Sequence, residues 1–95
     1  MTQSVTGSVV QVDESGSLIT DIDSERLANA PTDASLRVTV DEHETFGLYP
    51  PDHAQPAMTL IAITHIGTPL KIMLVDDSAS AMLGVRVGAP VLVEW

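Results

Sequence analysis

Three histidines, His43, His53 and His65, lie among many carboxylates, and these are the side chains whose types could hold a metal or move a proton. None of them has a partner at i, i+4 on a helix or at close strand spacing, the arrangement that pre-aligns two ligands, so no metal is expected. His43 and His53 read as exposed side chains on either side of a proline loop. The acids of "DIDSE", Asp21 to Glu25, look superficially like a calcium loop, but the loop glycine and later bidentate glutamate are missing. A cap for a following turn explains them better. No Gly-x-Ser-x-Gly elbow sets up a serine nucleophile, and without cysteine there is no thiolate, disulfide or zinc ribbon. No catalytic residue is assigned.

A different stretch, "VVQVDESGSLITDI" from Val9 to Ile22, places Asp13, Gly16 and Ser17 together. "DESGS" is turn chemistry between two apolar strands, with Gly16 free to take a positive φ, so Asp13 and Ser17 face each other near the tip of a β-hairpin.

The elements around it follow from hydrophobic period. "SLRVTVD" alternates Leu36, Val38 and Val40 inward with Arg37, Thr39 and Asp41 outward. "ETFGLYPP" continues as a strand that Pro50 and Pro51 end, and "DHAQP" is a surface loop. Met58 to Ile63 is apolar on both sides, as expected for a strand in a closed barrel or central position. After a turn at Gly67-Thr68-Pro69, "LKIMLV" is again strand, and "APVLVEW" is the last. Two short helical turns are expected: "ERLANA", capped by Asp23 or Ser24 and stopped by Pro31, and "DDSASAMLG", stopped by Gly84. Phe46 and Trp95 are expected to fill barrel ends, and Met58, Met73 and Met82 to fill gaps in the core.

The fold predicted for residues 1–95 is therefore all-β, a single small compact β-barrel of about seven short strands with one or two single-turn helices. Its core must come from Val, Leu, Ile, Ala and Met, because the aromatics are one Trp, one Tyr and one Phe.

Charge narrows the partners. Thirteen acidic against four basic residues give a net charge of -9, which repels phosphate backbones and anionic lipid heads. No nucleic acid and no membrane are expected, and the apolar-rich "AMTLIAITHIG" is too short and broken to span one. The N-terminus carries no export-signal pattern, so the expectation is a soluble, cytoplasmic protein.

The order of these elements resembles the C-terminal domain of the S-adenosylmethionine hydroxide adenosyltransferases, the family that includes the fluorinase and chlorinase enzymes. "GSVVQVDESGSLITDI" is similar to the family's strand, Asp, Phe-Gly-Asn and Thr-Asn-Ile succession. "GTPLKIMLVDDSASAMLGVRVGAPVLV" is similar to its Gly, Leu-Glu-Ile-Ala, Asn, Ser-Ala-Ala, Leu-Gly and Val-Gly-Asp-Pro-Val succession. The match covers nearly the whole chain and implies a compact β-barrel. It also implies that a larger N-terminal domain would supply the catalytic Asp, so that this barrel would hold at most half a site.

Carried over residue by residue, the resemblance places a ligand site at Asp13, Gly16, Ser17, His65, Gly67 and Val75. Asp13 matches the Asp suited to the ligand's amino group, and Gly16 the turn glycine. The remaining positions depart from the family. Ser17 and Asp21 replace Asn, His65 and Ile66 stand where Ser and then Ser or Arg grip a carboxylate, and Val75 stands where Asn recognises adenine. A hydroxyl cannot reproduce an amide's paired donor and acceptor, and Ile66 cannot pair a carboxylate.

The expectation is thus a stand-alone, non-catalytic binding or assembly module without cofactor, acting through a protein partner or as a homo-oligomer. The alternative that keeps enzyme chemistry is an S-adenosylmethionine- or adenosine-binding half-site completed in trans by a separate domain. A second alternative is a self-associating structural protein.

Overall fold

The computed structural model describes residues 3–95. Seven strands run in the order β1 (Ser4–Val12), β2 (Leu18–Asp23), β3 (Arg37–Val40), β4 (His43–Phe46), β5 (Leu60–Ile63), β6 (Pro69–Leu74) and β7 (Pro90–Glu94). A 3₁₀ turn (Ser24–Leu27) follows β2, and a short helix, α1 (Ala79–Leu83), precedes β7. The strands form one antiparallel sheet ordered β4-β3-β7-β1-β2-β6-β5, which curls into a nearly closed barrel.

Strand β1 makes that curl possible. Its first half, Ser4 to Ser8, pairs with β7, and its second half, Val9 to Val12, pairs with β2, with a register shift between Val9 and Gln11. An extra residue in one strand bends it and sharpens its twist. At the bend the Ser8 amide donates to the Asp21 carboxylate at 2.8 Å. The two outermost strands then approach each other across a seam. Thr45 donates its hydroxyl to the Leu60 carbonyl at 2.7 Å, and just beyond β4 the Tyr49 amide donates to the Ala62 carbonyl at 2.9 Å. Tyr49 also accepts from the Thr64 amide, forming a parallel bridge that completes the wall immediately before Pro50 and Pro51. The strand expected to run to Pro50 and Pro51 instead stops at Phe46, where Gly47 turns the chain at φ +83°, and only the isolated bridge at Tyr49 precedes the prolines.

The inward positions form the core. Val9, Leu18, Ile22, Leu36, Val38, Val40, Leu70, Ile72, Val91 and Val93 are all buried. The run "LIAI" is apolar on both sides for a more specific reason than its position in the sheet. Leu60 and Ala62 face the core, while Ile61 and Ile63 join Val75, Tyr49 and Met73 in a second cluster. Residues 50–57 leave from Tyr49 and return at Met58, whose amide donates to the Val75 carbonyl at 2.8 Å, so both ends of this segment are fixed at that cluster.

Several side chains differ from the sequence reading. Phe46 does not fill a barrel end: it is 48% exposed, because Thr45 takes the inward position of β4. Met58 and Met82 are exposed as well. Met58 sits in a positive-φ turn, and α1 is so short that only Ala79 is buried. Met73 packs on the second cluster, and Trp95 packs partly buried against the core while exchanging two backbone hydrogen bonds with Gln3. Asp23 occupies the cap position of the 3₁₀ turn without a side-chain bond, and the Ser24 hydroxyl instead accepts from the Gly67 amide. His43 and His53 are half-buried, the first with Nε2 3.1 Å from the Leu83 carbonyl and the second accepting from the Gln55 amide. Among the described residues, no helix is long and apolar enough to cross a membrane.

Candidate functional site

The β1–β2 hairpin tip is organised around one carboxylate oxygen. Asp13 Oδ1 accepts from the Ser15 amide (3.0 Å), the Ser15 hydroxyl (2.8 Å) and the Ser17 amide (2.9 Å). The backbone closes the same loop, with Asp13 donating to the Ser17 carbonyl and Gly16 to the Asp13 carbonyl, both at 3.0 Å. Asp side chains that bond the backbone two residues ahead hold turns in this way. Gly16, at φ +84°, lies against Ser78, and its carbonyl accepts from the Ser80 amide at 2.9 Å. Ser78 in turn caps α1 by accepting from the Ala81 amide. Thus the hairpin tip and the helix N-terminus are locked together.

Ionisation of Asp13 belongs to this lock. Burial pushes its carboxyl pKa up, but the Ser15 hydroxyl, the Ser17 and Ser15 amides and the charge of Lys71 together hold it below the ordinary value. A carboxylate with a lowered folded pKa contributes stability that is complete above its unfolded pKa and lost as pH falls through the folded one. Melting temperature should therefore fall as the solution is acidified through the aspartate range, and Asp13→Asn should flatten part of that slope. The remainder includes Asp33, whose carboxyl is lowered by the Ser35 hydroxyl and amide. Circular dichroism melts between about pH 6 and about pH 2 measure both.

Beside the hairpin lies a hollow of about 460 Å³. Its apolar surface comes from Ile19, Ile63 and Met73 with Pro51 and Pro69, and its polar groups include Asp13, His65 and Lys71. A second hollow, bordered by Ser15, Ser17, Asp76, Asp77 and Ser78, shares Met73 with it. A third, of about 470 Å³, shares Pro51 and His65 with the first and reaches Glu25, Leu27 and Ile66. The first lies on the outer face of β2, β6 and β5, and the other two adjoin it through these shared residues, a succession termed the outer groove.

Asp13 and His65 thus border the same hollow. Ser17 adjoins the second, yet it is only 1% exposed and its hydroxyl lies 3.3 Å from that of Ser15. Gly16 is buried against Ser78, and Gly67 is an exposed turn residue tied to Ser24. Val75 faces none of the hollows. Its side chain joins Ile61 and Ile63, while its backbone pairs with Met58 and Thr59, so no ligand edge can reach it there. Lys71, Met73 and Ile19 were not anticipated as site residues. The alternation of "LKIMLV" does place Lys71 and Met73 outward, but their meeting with Ile19 needs the β2–β6 pairing. Among the described residues, no three His, Asp or Glu side chains converge as a metal would require.

Solved structures share this barrel. One is an uncharacterized conserved protein from Thermotoga maritima, with a TM-score of 0.78 and 22% identity, aligned over 95% of this chain and 35% of its own. Another is a conserved hypothetical protein from Thermus thermophilus, with a TM-score of 0.71 and 24% identity, over 94% of this chain and 34% of its own. These likenesses establish the fold, and the chain spans about a third of the length of each protein. No protein-family model matches the sequence, and no curated protein matches it.

Proposed function

We propose that this barrel is a non-catalytic binding or assembly module, related to the C-terminal domain of the S-adenosylmethionine hydroxide adenosyltransferases and working through its outer groove. The observation that carries the reading is how the hairpin tip spends its polar groups. One carboxylate oxygen of Asp13, Oδ1, already accepts three hydrogen bonds from its own turn, Ser17 is buried, and Gly16 is packed on Ser78. Val75 is part of the outer apolar cluster where the resemblance would have a base-recognising amide. A site that hydrogen-bonds a base edge discriminates through paired polar groups, and valine has none to offer.

A second reading, completion of an adenosylmethionine-cleaving site in trans, is favoured by one fact. The same barrel accounts for about a third of two longer chains, so other parts of those proteins accompany it. Amide-resolved NMR titration with adenosine and then S-adenosylmethionine separates the readings. The module reading expects no localised shifts at residues 13–17 or 65–76 at millimolar ligand. Saturable shifts confined to those residues would overturn it in favour of the trans-completed enzyme.

A further inference from the structure

We propose that the outer groove binds a short extended segment of a partner protein in which apolar residues are flanked by Lys or Arg. The inference rests on the module reading and names the partner class for the same surface.

The groove has an apolar middle and acidic ends. Its central hollow is walled by Ile19, Ile63, Met73 and the two prolines. One end, past Met73, carries Asp76 and Asp77, and the other, past His65, carries Glu25. Asp23 joins that second end through a small hollow sharing Thr68 and Pro69 with the centre. Ile66 stands at the rim 91% exposed, a large aliphatic side chain with nearly all its area still to be buried. Removing such area from water is the gain an apolar anchor would collect.

Charge selects the occupant. The cation bordering these hollows is Lys71, and its field already acts on Asp13. Arg26, next to Glu25 in sequence, borders a different hollow with Trp95. With a chain charge of -9, a second copy or an acidic segment would bring like charges onto the groove ends, whereas Lys or Arg residues flanking an apolar stretch meet carboxylates at both. A linear sequence of hollows suits an extended chain, in which alternate side chains can drop into successive depressions.

Three heptapeptides test this in NMR titrations of the whole chain: KRLVLRK, its charge-reversed form EELVLEE, and its anchor-free form KRSGSRK. KRLVLRK is expected to shift amides of residues 63–77 saturably, with affinity falling about tenfold when salt rises from low to high concentration. Both control peptides should bind at least about tenfold more weakly, as should KRLVLRK to Ile66→Ser and to the double variant Asp76→Asn/Asp77→Asn. These substitutions are at exposed positions, so retained barrel shifts elsewhere establish folding. Absence of groove shifts with KRLVLRK, equal binding of EELVLEE, or shifts centred elsewhere would each overturn the proposal. So would groove shifts that follow protein concentration alone, since a second copy would then be the occupant. Failure here with a blank adenosine titration removes only this partner class, whereas adenosine shifts remove the module reading itself.

Discussion

Alanine at Gly16 should lower the melting temperature by about 15 °C, the larger of two expected effects on stability per atom changed. Two costs combine. Gly16 sits at φ +84°, where a side chain costs about 1–2 kcal/mol. A Cβ there would also lie 2.6 Å from Ser78 Cβ and 2.9 Å from Ser78 Cα, a backbone contact that cannot rotate away. Overpacking of this kind adds about 1–3 kcal/mol, so the sum is about 3 kcal/mol. For a domain of this size each kcal/mol moves the midpoint by about 4–8 °C. Adding Ser78→Gly should restore part of the loss, since it removes the hydroxymethyl group while glycine remains a tolerable helix cap. A melt of Gly16→Ala indistinguishable from the parent would mean that the hairpin tip is not packed on α1.

Leu18→Ala should cost about 3–4 kcal/mol, a large part of the total stability expected for about 95 residues. Leu18 is fully buried, opens β2 directly after the hairpin, and pairs across the sheet with Ile72, itself fully buried. The void would open in the middle of the barrel, where neighbours on all sides are held by ladder bonds and can relax only partly. Leu18→Met, which nearly conserves volume, should cost less than about 1.5 kcal/mol. Urea unfolding of the three proteins measures both numbers, and a Leu18→Ala cost near that of Leu18→Met would contradict this placement of the core.

How far the chain could be read in advance follows from which interactions were local. The inward set Leu36, Val38 and Val40, the hairpin turn at Gly16 and the stop at Gly84 were legible because each depends on a strand period or one backbone conformation. The phase of β4 was not. Phe46 is the larger apolar side chain and invites an inward reading, but the pairing of Thr45 with the inward Val38 points Phe46 outside. That constraint belongs to another strand, as does the parallel bridge from Tyr49 that closes the wall. The site divides in the same way. Asp13 and Ser17 could be placed at one hairpin tip from the turn alone, whereas the groove needs β2, β6 and β5 side by side to bring Ile19, Met73 and Ile63 together. The surroundings of Val75 were not legible, because a residue just past a strand end has no periodic signal for its face, and its neighbours in the outer cluster come from β5 and Tyr49.

Hydrogen exchange at the Ser17 amide tests most directly whether the hairpin tip is satisfied by its own chain. That amide donates to Asp13 Oδ1 at 2.9 Å in a buried residue, so it should exchange slowly, remain unchanged by millimolar adenosine, and become fast in Asp13→Ala. Exchange at an unprotected rate in the parent protein, slowed when adenosine is added, would show an open tip completed by a nucleoside and would contradict the proposal that the hairpin tip is satisfied by its own chain.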